Sequence, residues 1–133
     1  MPTLNTYLIE DSAVIREHLI ATLEELAPVR VLGSASDEAS ALQWLAAPDH
    51  AVDLVLIDLF LAGGSGLGVL RALSNLPQRP VLVVLSNFVS PDMRRHCLSL
   101  GAVRVFDKSS EVEALLDYCA ELAAGQVSES SPA

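Results

Sequence analysis

The sequence predicts an alternating α/β fold, a parallel sheet covered by helices on both faces. Three observations predict it. Short apolar runs alternate with segments of helical apolar spacing five times along 133 residues. The connections between them are short. The run from Val52 to Leu59 is almost continuously apolar, as expected of a strand buried on both faces.

The elements follow in order. Thr6 to Ile9 is an apolar strand that stops at Glu10 and Asp11. From Ser12 to Ala27 the residues Ile15, Leu19, Leu23 and Leu26 recur at helical spacing, and Pro28 ends that helix. Val29 to Leu32 forms the second strand. Ser36 is placed to cap a second helix with Ala39, Leu42, Trp44 and Leu45 on its apolar face, running up to Pro48. After the Val52–Leu59 strand, the turn Gly63-Gly64-Ser65-Gly66 leads into a helix carrying Leu67, Leu70, Leu73 and Leu76. Pro80 opens the strand Val81 to Leu85. Ser90 and Pro91 start a helix, serine as cap and proline at the first helical position. Gly101 stops it, and Val103 to Phe106 is the last strand. Ser110 and Glu113 have the spacing of a capping box for a final helix holding Val112, Leu115, Leu116, Cys119 and Leu122, which Gly125 ends.

This length makes one domain, expected over residues 1–124, with 125–133 as a disordered, serine-rich tail. No effector module is expected within this length. Met1 and the short polar end point to a chain that acts by itself, with a fragment of a longer protein as the alternative. No apolar stretch reaches the length of a membrane span, and no basic region followed by an apolar run marks a secretion signal. Cys97 and Cys119 imply no disulfide framework and fit a reducing, cytoplasmic interior. The net charge of −9, from 17 carboxylates against 8 Lys and Arg, repels phosphate backbones and argues against direct nucleic-acid binding. The one local basic cluster, Arg94-Arg95-His96, suits either a protein contact or an ordinary solvated helix face.

In sheets of this kind, ligands bind beyond the carboxyl ends of the strands. The first strand ends in Glu10-Asp11, the third in Asp58 and the fourth in Ser86, while Lys108 follows the last. Crowded carboxylates repel unless a cation intervenes. A hard divalent ion such as Mg²⁺ takes oxygen ligands and keeps several waters. Asp11 and Asp58 suit direct ligation and Glu10 ligation through water. A phosphoryl group on Asp58 would find donors in the Ser86 hydroxyl and the Lys108 ammonium. Phosphoryl transfer needs mainly positioning and charge neutralisation, and this set offers both. Each residue alone also has an ordinary reading. Ser86 suits a turn, Glu10-Asp11 suits a helix start, and Lys108, the one lysine, is compatible with an arginine-favouring composition. Asp58 already asks for a partner, because it directly follows Val55-Leu56-Ile57.

With these residues in order, the chain from 4 to about 124 resembles the receiver domains of two-component response regulators. The matching residues are Glu10-Asp11, Asp58, Gly66 eight positions later, Ser86, Lys108 and the stretch Gly101 to Ser109. The resemblance implies a flavodoxin-like receiver fold, a five-stranded parallel sheet of order 2-1-3-4-5 flanked by five helices. It implies that Asp58 takes a phosphoryl group from a phosphohistidine on a histidine kinase or histidine phosphotransfer protein. Asp11 and Asp58 would bind Mg²⁺, with the main-chain carbonyl of Phe60 as a third protein ligand. Ser86 and Lys108 would contact the phosphoryl oxygens. Signalling would pass by contact to an output protein at the fourth helix, last strand and last helix. The domain would promote only its own phosphorylation and dephosphorylation and would not be a turnover enzyme.

Several positions depart from the family. Leu59-Phe60-Leu61-Ala62 lacks the Met-Pro usual after the acceptor, and Val105 holds the place of the switch aromatic. Strand alternation should turn the neighbouring Phe106 to the other face. Asn87 is larger than the residue usual after the serine and should narrow access, and Ser109 replaces the common proline, so no cis peptide is expected there. Phe60 and Phe88 are placed to shield an acyl phosphate from water, or merely to cover loop edges. The glycine run from 63 to 68 fits no nucleotide loop. Val69 stands where G-x-G-x-x-G needs its third glycine, and Val69-Leu70 stand where a P-loop needs Lys and Ser/Thr. Leu67 replaces the second glycine of a nucleophile elbow around Ser65. The remaining alternative is a receiver-like adaptor that works without phosphorylation, which the missing switch aromatic would suit.

Overall fold

Ten elements alternate along the chain in a computed structural model that describes residues 3–47, 51–61, 63–76, 79–87 and 89–125. They are β1 (Leu4–Ile9), α1 (Ala13–Leu26), β2 (Val29–Ala35), α2 (Glu38–Leu45), β3 (Leu54–Asp58), α3 (Gly66–Ser74), β4 (Val81–Ser86), α4 (Pro91–Ser99), β5 (Arg104–Asp107) and α5 (Val112–Ala123). All strand pairs are parallel, in the order β2-β1-β3-β4-β5 that the resemblance implied. The chain steps from β1 outward to β2 and then crosses to β3 on the other side. The connections therefore diverge between β1 and β3, which opens a crevice at their carboxyl ends.

Two apolar layers hold the sheet. Period-2 alternation sends Leu54 and Leu56 of β3 toward α1 and α5, where they meet Leu19, Leu23, Leu115 and Cys119. Val55 and Ile57 go the other way, toward Ala41, Val69, Leu70 and Cys97 of α2, α3 and α4. All four strand residues are fully buried, so truncating one, as in Leu56→Ala, costs about 2–5 kcal/mol. Phe106 sits in the first layer and Val105 in the second, so the two do face opposite ways. Both cysteines are free and buried, and burial pushes the Cys119 thiol up to about 12.

Local chemistry sets the helix starts, with two corrections. Ser12, Ser65 and Ser90 cap α1, α3 and α4, and Pro91 opens α4 as expected. The cap of α2 is Asp37, one residue later than Ser36, because its carboxylate reaches the Ser40 N–H at 2.7 Å and the Ser40 hydroxyl at 3.0 Å. The capping box of α5 does not form. Glu111 is the cap residue, without a side-chain cap bond, and its carboxylate accepts instead from the Asp107 N–H at 2.9 Å. Asp107 in turn accepts from the Ser109 and Ser110 N–H groups, so a side-chain turn takes Ser110 away from the helix. Leu26, expected on the apolar face of α1, is 63% exposed. Among the described residues no helix is long and apolar enough to cross a membrane. Phe88 and the expected tail beyond Gly125 lie outside the described residues.

Candidate phosphoacceptor site

Three strand ends and one loop bring the charged residues together. β1 and β3 are neighbours, so Glu10 and Asp58 emerge side by side at the crevice. The Glu10 N–H donates to the Ala35 carbonyl at 2.9 Å, which anchors the end of β1 to β2. Gly66 lets α3 start against the end of β3, since a Cβ there would stand 2.2 Å from the Asp58 carbonyl oxygen. Lys108 follows β5, and its N–H donates to the Ser86 carbonyl at 3.1 Å. That bond continues the strand pairing by one residue and aims the lysine across β4.

The Lys108 ammonium lies between two buried carboxylates. It donates to Glu10 Oε1 at 2.6 Å and to Asp58 Oδ2 at 3.1 Å. Glu10 is 1% exposed and Asp58 5%, so each charge needs a partner. Glu10 Oε2 accepts from the Ser12 N–H at 3.0 Å, and Asp58 Oδ1 from the Phe60 N–H at 3.3 Å. Burial pulls the lysine toward its neutral form. The Glu10 hydrogen bond and the Asp58 charge outweigh that pull and hold its pKa above the usual lysine value.

Asp11 is exposed, yet one carboxylate oxygen from each of Glu10, Asp11 and Asp58 lies within 4.8 Å of the others. Three carboxylates thus face one ammonium, and the donor set is all oxygen. This is the environment a hard divalent cation fits, because it would relieve the excess negative charge. A cavity of about 350 Å³ opens over the cluster, bounded also by Ile15, Phe60 and Asn87. Asn87 is one of its walls. A more apolar groove of about 370 Å³ adjoins it, lined by Val14, Ile15, His18 and Val112 and sharing Asn87 and Lys108.

Two expected residues sit differently. Ser86 is buried at the end of β4, but its hydroxyl donates to the Asn87 carbonyl at 3.3 Å and is not part of the cavity lining. Phe60 lines the cavity but is 67% exposed, so most of its surface faces solvent. Sequence reasoning missed Arg16, whose guanidinium donates to the Glu10 carbonyl at 2.8 Å and ties α1 to the acidic turn. Its position one turn into the helix after Glu10-Asp11 was the available clue.

Comparison with known proteins agrees with this geometry. The profile of the response regulator receiver domain matches residues 7–120. The transcriptional regulatory protein LiaR of Bacillus subtilis is 26% identical over 86% of this chain and 53% of its own. The protein-glutamate methylesterase/protein-glutamine glutaminase 5 of Myxococcus xanthus is 31% identical over 97% of this chain and 39% of its own. The chain therefore spans about half the length, or less, of these relatives. Among solved structures, a response regulator protein from Burkholderia pseudomallei with a phosphorylated aspartic acid, calcium ion and citrate superposes with a TM-score of 0.74. It is 25% identical, over 92% of this chain and 69% of its own. The methylesterase corrects one expectation. The expectation that such a chain is no turnover enzyme does not stand, because a chain related along nearly all of this sequence bears an enzyme's name.

Proposed function

Because the chain belongs to the response regulator receiver domain family, we propose that it accepts a phosphoryl group on Asp58 from a phosphohistidine partner. The observation that carries this reading is the single ammonium of Lys108 shared by two buried carboxylates beneath an open cavity. Lys108 occupies Asp58 Oδ2, which leaves Oδ1, held only by the long Phe60 bond, as the attacking oxygen. A bond forms from that oxygen to phosphorus as the bond from phosphorus to the donor's imidazole nitrogen breaks. Glu10, Asp11, Asp58 and the Phe60 carbonyl would hold Mg²⁺, which supplies neutralisation of the phosphoryl charge. The phosphorylated aspartic acid and calcium ion of the Burkholderia protein support both assignments. Ser86 would turn its hydroxyl from Asn87 toward a phosphoryl oxygen, and Lys108 would follow the new charge.

A histidine kinase or histidine phosphotransfer protein would dock on the apolar groove beside the cavity. Output would pass by protein contact from α4, β5 and α5, where Arg94 bonds the Val105 carbonyl and approaches Glu111. The receiver domain would run to residue 124, and the two free thiols suit the cytoplasm.

The test is intact mass after incubation with Mg²⁺ and acetyl phosphate. One added phosphoryl group, absent from Asp58→Asn, is the expected result. No adduct, and no complex with beryllofluoride either, would sink the reading in favour of an adaptor that works without phosphorylation.

A further inference from the structure

The glycine run after β3 matches no nucleotide loop, but the structure gives it a different occupant. The Glu38 carboxylate, half-buried at the first position of α2, lies on the start of α3. Its Oε1 accepts from the Ser65 N–H at 2.9 Å, across 27 residues of chain. A Cβ on Gly64 would stand 2.6 Å from Oε1, and one on Gly68 would stand 2.5 Å from Oε2. Any side chain at either place would push the carboxylate out. The Glu38 N–H also donates to the Gly63 carbonyl at 2.9 Å. The carboxylate sits by the positive ends of two helices, so it is stabilised with no cation in contact with it among the described residues.

The grip continues to the acceptor. Ser65 pairs with Phe60 as an antiparallel bridge across the neck of the loop. The Gly66 N–H donates to the Leu59 carbonyl at 3.1 Å. The Phe60 N–H donates to Asp58 Oδ1. Every link from Glu38 to the reacting carboxylate is therefore a direct contact. We propose that Glu38 is a positioning residue of the phosphoacceptor site, seating its carboxylate between Gly64 and Gly68 to lock the loop that carries Phe60. The proposal rests on the receiver reading and adds to it a residue from the start of α2.

Glu38→Ala, Glu38→Gln and Gly68→Ala would be compared with the wild type. Amide hydrogen exchange at Ser65 and Phe60 would be followed by NMR without metal, and Mg²⁺ affinity by calorimetry. E38A should expose both amides to exchange and weaken Mg²⁺ binding about tenfold. E38Q should behave as the wild type, because its amide oxygen accepts the same N–H. G68A should reproduce E38A by displacing an intact carboxylate, and it carries the test if E38A does not fold. A folded E38A with unchanged amide protection and unchanged Mg²⁺ affinity would overturn the role of Glu38 alone. A wild type that binds no Mg²⁺ and takes no phosphoryl group would overturn the receiver reading and this proposal with it.

Discussion

Two carboxylate sites flank the end of β3, and they solve the problem of burying negative charge in opposite ways. Glu10 and Asp58 share one ammonium, with Asp11 close by, so their cluster remains short of positive charge and opens to a cavity. Glu38 accepts from the Ser65 N–H, packs by two glycines and lies at two helix starts. The difference teaches what makes a carboxylate available for chemistry. A deficit of positive charge leaves room for a cation and a phosphoryl group, whereas a carboxylate held by main-chain N–H at helix starts serves to hold structure.

The strongest way to break the comparison is to remove the shared ammonium. Lys108→Met should destabilise the fold by about 3 kcal/mol in urea unfolding, because it strands two buried charges. Adding Glu10→Gln should recover part of that loss, since one stranded charge goes with it. Glu38→Ala, at a site with no cation to lose, should cost only about 1 kcal/mol.

The pH dependence follows from the raised Lys108 pKa. Its contribution is fully present below the unfolded lysine value of about 10.4. Above that pH the unfolded chain has lost the proton while the folded chain keeps it, so stability falls as pH rises through the folded value. Wild type should lose stability more steeply than Lys108→Met in unfolding curves above that pH.

Smaller effects sharpen the contrast. Mg²⁺ at about ten times its dissociation constant should stabilise the wild type by about 1.4 kcal/mol. Asp11→Asn should gain less in the same thermal melt, and an equal gain would remove Asp11 from the ligand set. Phe60→Ala should change least, within about 0.5 kcal/mol in unfolding. With its ring already exposed, the lifetime of the phosphorylated form followed by mass should hold, and a sharp drop would restore the ring as a shield.

Sequence alone determined the order of elements, the alternation that sends Val105 and Phe106 to opposite layers, and the identity of the charged strand ends. These rest on period-2 and helical spacing and on caps such as Ser90-Pro91, whose chemistry lies within a few residues. The Ser110–Glu113 box failed because Asp107 took the Ser110 N–H that Glu113 would have accepted from, a contest that spacing alone does not decide. Only the tertiary structure could pair Lys108 with Glu10 across 98 residues, turn the Ser86 hydroxyl to Asn87, or show Arg16 and Glu38 as supports. Such partners are chosen by which strand ends and helix starts the sheet brings together. A charge pattern states that a buried carboxylate needs a partner, and the fold decides which one reaches it.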